Sequence, residues 1–187
     1  MKAICYHRYG GPDQLALEEV STPVPKANEV LVRVHAASIN SWDDDMLRGH
    51  TFIIRALSGW RKPRYKILGS DVAGVVVAAG AACTLFKPGD EVFGDIASAG
   101  FGSFAEYVVV PENVLARKPA ALSFQQAAAL PQAGLLAIQG LRYHGDVLYT
   151  ADYQSTITSS YAFQTSLGQT TRLRVIGHDT SLLAPYD

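Results

Sequence analysis

The sequence predicts a mainly β fold with a few helices: a curled, partly open antiparallel barrel, followed by a short tail of different texture. Three observations carry this. Short apolar or alternating runs recur between Gly and Pro turns through most of the first 144 residues. The first well-marked helix signals come late, from Ser123 onward. After Gly145 the patterning gives way to a stretch dominated by Ser, Thr, Gln and Tyr.

Taken in order, Lys2 to Tyr6 is a short apolar strand ended by the turn Gly10-Gly11-Pro12-Asp13. Leu15 to Val20 alternates loosely until Pro23 and Pro25 break the pattern. Glu29 to Ala36 alternates cleanly, with Val30, Val32 and Val34 on one face. Asp71 to Ala79 is an almost unbroken run of Val and small residues, as expected of a strand covered on both faces. Lys87-Pro88-Gly89-Asp90 is a turn leading into a strand at Glu91 to Gly94, and Gly102 to Val110 supplies another after a glycine-rich loop. Ser123 then caps a helix over Phe124 to Leu130, Pro131 ends or kinks it, and Ala133 to Tyr143 is a second helical stretch. Beyond Gly145, Val147 to Tyr149 and Leu173 to Ile176 read as isolated strands with no helix to cross over with. This tail reads as a disordered extension, a β-hairpin docked on the barrel, or the product of an altered reading frame.

Composition narrows the function classes. Hydrophobic residues make up 48% and charged residues 18%, which is ordinary for a globular chain, and a net charge of −1 leaves no overall footprint for nucleic acid or an anionic membrane. No apolar run is long enough to span a bilayer, and the charged start Met1-Lys2-Ala3-Ile4-Cys5-Tyr6-His7-Arg8 does not read as a secretion signal, so a cytoplasmic setting is expected. Cys5 and Cys83 stand far apart and read as reduced thiols. His7, His35, His50, His144 and His178 are scattered without paired ligand spacing, so no metal site is expected.

Seven stretches stand in one order: Met1-Lys2-Ala3 with Tyr9-Gly10-Gly11-Pro12; Glu29 to Val34; Ala36-Ala37-Ser38-Ile39-Asn40; Gly69 to Val76; Phe86 to Gly94; Gly102 to Tyr107; and Ala127 to Pro131. Together, over about the first 144 residues, they resemble the medium-chain dehydrogenase/reductase superfamily in its zinc-free quinone-oxidoreductase or enoyl-reductase branch. The resemblance implies a GroES-like N-terminal domain over 1–144, with 145–187 an atypical tail in place of the nucleotide-binding domain. It implies NADPH as the family's cofactor, a small carbonyl or quinone-like molecule as partner, and hydride transfer as the chemistry. A homodimer through the barrel face that a cofactor domain would cover is also expected, and neither nucleic acid nor membrane is.

The resemblance also implies site residues. Where the zinc-dependent branch carries a Cys and a His-Glu pair as metal ligands, this chain has Asn40 and Ser70-Asp71, so no zinc is expected. Asn40 is the implied catalytic residue at the pocket floor, its amide donating to a carbonyl or to the nicotinamide. Trp42 is a candidate pocket wall or a core aromatic. Asp43 matches an acidic residue of the same loop, and reads equally as a helix N-terminal charge. Leu136 stands where relatives tend to carry a Thr facing the nicotinamide. His50 to Tyr65, rich in apolar and basic residues, borders the substrate cleft in relatives; taken alone it is an amphipathic helix packed on the barrel, its cations solvated or meeting a cofactor phosphate.

A complete Rossmann domain needs a glycine-rich turn between strand and helix, and no GxGxxG or GxxGxxG follows residue 145. The expected function is therefore the substrate side of a zinc-independent oxidoreductase, truncated and inactive alone. The alternative is a non-enzymatic GroES-like module that binds a small carbonyl ligand or a protein.

Overall fold

The computed structural model describes residues 1–143, with side chains as far as 137, and four short strands beyond. The chain divides into two compact units, Met1–Gln132 and Ala133–Asp187.

The first unit is built on a five-stranded antiparallel sheet. Its strands are β3 (Glu29–Ser38), β4 (Asp71–Ala79), β5 (Glu91–Asp95), β6 (Tyr107–Pro111) and β7 (Ala116–Arg117) in the order β6-β3-β4-β5-β7. The sheet is open, ending in β6 and β7, which agrees with the partly open barrel expected. A separate ribbon pairs β1 (Lys2–Cys5) with β2 (Ala16–Glu19), and single bridges tie Ala3 to Ala105 and Cys5 to Ile67.

The alternation read from β3 places Val30 and Val32 in the main core with Val72, Val76, Val92, Val108 and Val110. β4 is covered on both faces, as its apolar run predicts. Ala73 points to the side opposite that core and packs on Ala127 and Ala128 of α3 (Phe124–Ala128). A second core, beneath the β1 ribbon, gathers Tyr6, Met46, Leu47, Ile54, Leu68 and Phe101. Gly74 sits beside a β-bulge in β3, where a Cβ would lie 2.1 Å from the Arg33 carbonyl oxygen. The lack of a side chain lets the two central strands approach.

The helices correct the sequence reading at two places. Helix formation starts well before Ser123, with α1 (Ser41–Arg48) and α2 (Phe52–Ser58). Each spans only about two turns, so end chemistry adds to the packing of a small buried face, Asp43, Met46 and Leu47 in α1 and Ile54 and Ser58 in α2. α1 has Asn40 as N-cap, acidic residues in its first turn and Arg48 in its last. In α2, Thr51 Oγ1 accepts from the Ile54 N–H at 3.2 Å. Ser123 does cap α3, with Gln126 reaching back to the Ser123 N–H at 2.9 Å. Pro131, however, opens the next helix, α4 (Pro131–Leu141), at a position where its missing N–H costs nothing. The strand expected at Gly102 begins only at Tyr107, because Gly100, Phe101 and Gly102 all take positive φ.

The second unit begins within α4. Beyond it, β8 (Arg142–Tyr143) pairs antiparallel with β9 (Asp146–Val147). β12 (Thr170–Ile176) lies between β10 (Tyr153–Gln154), parallel to it, and β11 (Ser159–Gln164), antiparallel. The strand expected at Leu173 to Ile176 is part of β12; Leu148 and Tyr149 lie outside the described residues. No helix is described after Leu141, so the described part of the tail is not a Rossmann domain. Among the described residues no helix is long and apolar enough to cross a membrane.

Gly74→Ala should destabilise the chain by about 1–3 kcal/mol through overpacking at the β3–β4 bulge. Urea unfolding followed by circular dichroism measures it; an unchanged midpoint would mean that the strands separate without cost.

Candidate functional site

The C-terminal end of β3 meets the start of β4, and Ser38 pairs in register with Asp71. Asn40 follows one residue after β3 ends and caps α1, so strand end, helix start and neighbouring strand converge on one point. Gly69, with φ +99°, turns the chain into β4 there; a Cβ would strike Ser103 Oγ at 2.1 Å.

A buried polar network fills this point. Asn40 Nδ2 lies 3.1 Å from Ser38 Oγ, 3.0 Å from Ser70 Oγ and 3.1 Å from Asp71 Oδ2, and donates among them. Ser38 Oγ donates to Asp71 Oδ2 at 2.9 Å. The Gln132 N–H, in the first turn of α4, donates to the same carboxylate at 3.1 Å. Asp43 closes the other side: its Oδ2 accepts from the Asn40 N–H at 2.9 Å and from Ser70 Oγ at 3.3 Å, and its Oδ1 accepts from the Gly69 N–H at 3.0 Å.

The structure therefore brings Asn40, Asp43 and Asp71 into one network. It does not bring Trp42 there: Trp42 is half-buried and packs against the second core. Leu136 lies on α4 in the second unit, 52% exposed. The sequence reading gave no role to Ser38 or to the Gln132 amide. Ser38 lies beyond the β-bulge between Val34 and Ala36, which shifts the alternation of β3, so the strand pattern did not mark it. The Gln132 contact had no signal either, since it joins residues far apart in the chain.

Both amide hydrogens of Asn40 are engaged inside the protein. Ile39 stands beside it, 83% exposed, an apolar side chain next to the polar cluster. Among the described residues, no three His, Cys, Asp or Glu side chains gather as a metal site.

Both acids are hard to ionise. Burial pushes Asp71 up to about 6, against the hydrogen bonds from Ser38, Asn40 and Gln132 and with some help from Asp95. Burial also raises Asp43, opposed by the donors from Asn40, Gly69 and Ser70.

Because the folded value of Asp71 exceeds the ordinary carboxylate value, its protonated form stabilises the fold. That stabilisation is complete below about pH 4 and is lost as pH rises to about 6, a change of about 3 kcal/mol. Urea-unfolding free energies between pH 4 and 7 should fall with pH, and Asp71→Asn should flatten most of the slope. The raised Asp43 leaves a residual slope of the same sign. Equal slopes in both proteins would show that Asp71 titrates normally.

Residues 26–120 match the model of the alcohol dehydrogenase GroES-like domain. Over 148 residues the chain is 40% identical to the chloroplastic quinone-oxidoreductase homologue of Spinacia oleracea, covering 79% of this chain and 44% of the relative. It is also 40% identical to the chloroplastic NADPH-dependent alkenal/one oxidoreductase of Arabidopsis thaliana, over 75% of this chain and 37% of the relative. The quinone oxidoreductase from Coxiella burnetii superposes with a TM-score of 0.68 at 37% identity, over 75% of this chain and 44% of that one. The chain thus spans less than half the length of the relatives it matches. It belongs to the alcohol dehydrogenase GroES-like domain family, in the quinone-oxidoreductase and enoyl-reductase branch of the medium-chain dehydrogenase/reductase superfamily.

Proposed function

We propose that this chain supplies the substrate side of a zinc-independent, NADPH-dependent oxidoreductase that reduces quinones or alkenes conjugated to a carbonyl. The observation that carries the reading is the network around Asn40. At the positions where the zinc-dependent branch holds its metal, Asn40 Nδ2 donates to both Ser70 and Asp71. Asn40 turns its amide donors, not an electron pair, toward Asp71, which is the wrong polarity for a shared cation. The relatives named for quinones and for alkenals support the substrate class. Ile39 beside Asn40 offers the apolar contact that a flat conjugated substrate would use.

Bound NADPH would supply the hydride. The turn from β3 to α1 does not fit its pyrophosphate: it has no glycine, and Asp43 and Asp44 occupy the first turn of α1, where a phosphate would need open amides. What the chain's own residues do is local. Ser38, Ser70 and Asp71 fix the Asn40 amide plane, and Asp43 holds the helix start on which Asn40 sits. The cytoplasmic setting is part of the proposal; two of the relatives are named as chloroplastic, so family membership does not decide the compartment.

Calorimetric titration of NADPH into the folded chain should show no binding at micromolar strength. In parallel, 9,10-phenanthrenequinone added to the isotopically labelled chain should shift the amide resonances of Ile39, Asn40 and Trp42 first. Micromolar NADPH binding would overturn the assignment to the substrate side alone. Quinone shifts confined to other regions would overturn the site.

A further inference from the structure

The segment linking α1 to β4 carries a cluster of exposed apolar side chains that neither the polar network nor the two cores absorb. Along α2 only Ile54 and Ser58 are buried. Phe52 is 71% exposed, Ile53 68%, Leu57 53% and Trp60 57%. The Phe52 and Trp60 rings meet edge to face with centroids 5.1 Å apart, so the turn after α2 folds back against its start. The sequence reading had the apolar side of this helix packed on the barrel; only Ile54 does so.

The segment is held in place. Ser58 Oγ donates to the Ile54 carbonyl at 2.7 Å, and the Tyr9 hydroxyl donates to the Gly59 carbonyl. Arg55 Nε donates to the Gly49 carbonyl at 2.7 Å, with its guanidinium over the Tyr9 ring. The backbone that carries the apolar side chains is therefore anchored at both ends of α2.

Charge identifies what the face fits. From Met46 to Ser70 the sequence holds six Lys or Arg and no Asp or Glu, an asymmetry hidden by the net charge of −1. Arg48 is engaged by Asp44 at 2.8 Å and Arg55 by backbone carbonyls. Arg61, Lys62, Arg64 and Lys66 are exposed and make no ion pair among the described residues. A second copy of the same face would set cations against cations, and an apolar partner would leave them unmatched. A lipid surface bearing anionic headgroups satisfies both features, taking the apolar side chains to the acyl boundary and the cations to its phosphates.

We infer that α2 and the turn through Lys66 form a docking face for an anionic bilayer surface, seating the protein in the interface without spanning it. This is independent of the substrate reading. It differs from the expectation of no membrane contact, which was drawn from net charge and from the lack of a spanning apolar run.

Flotation of the full chain with vesicles tests it. Binding to phosphatidylcholine–phosphatidylserine vesicles should exceed binding to pure phosphatidylcholine by about tenfold or more and weaken with salt. The double variant Arg61→Glu, Lys62→Glu and the double variant Ile53→Ser, Trp60→Ser should each lower it by about tenfold, with unchanged thermal unfolding. Leu17→Ser, an exposed apolar position on β2, should have no effect. The inference fails if neither vesicle binds, if both bind equally, or if binding survives both double variants. It also fails if the chain dimerises without lipid through a contact that Trp60→Ser breaks.

Discussion

The constraint on which the first unit depends is the burial of the Asp71 carboxylate. A charge withdrawn from water must be met by donors, and for Asp71 at the start of β4 they come from three places in the chain: Ser38 at the end of β3, Asn40 at the start of α1, and the Gln132 amide at the start of α4. Each donor marks the terminus of an element. The junction therefore satisfies orphan backbone groups and compensates the acid at once. The one buried side-chain oxygen without a partner among the described residues, Ser103 Oγ, lies against Gly69, just outside the network.

How much of this was legible follows from the range of the interactions. The alternation of Val30, Val32 and Val34, the two-sided burial of β4 and the cap at Ser123 are local and could be read directly. α1 and α2 were under-read, because three Asp in one turn and adjacent Ile residues are weak helix formers, which the caps and the packing of Met46, Leu47 and Ile54 in the second core hold in place. Pro131 was read as a stop because a proline ends what precedes it; that it also starts α4 depends on Asp71 accepting the next amide, a contact no neighbour in sequence announces. The motif order placed Asn40 and Asp71 together. The engagement of both Asn40 amide hydrogens inside the protein was not legible, since it depends on Ser38 and Ser70 meeting across two strands.

Several residues suggested as functional are explained by packing or by capping. Trp42 completes the second core, and Asp43 ties the first turn of α1 to the turn that opens β4. What stays exposed at this point is the Ile39 side chain.

The hydrogen bond from the Gly69 amide to Asp43 has a further consequence. It pins together the two ends of the stretch that contains α2 and the basic turn. A loop closed at its base can change its exposed residues with little effect on the sheet, because the entropy of closure has already been met by the polar junction. The buried acid and the exposed basic, apolar face are thus complementary parts of one arrangement. The first holds the strands and helix starts in register, and the second is left free to take its composition from whatever it must touch.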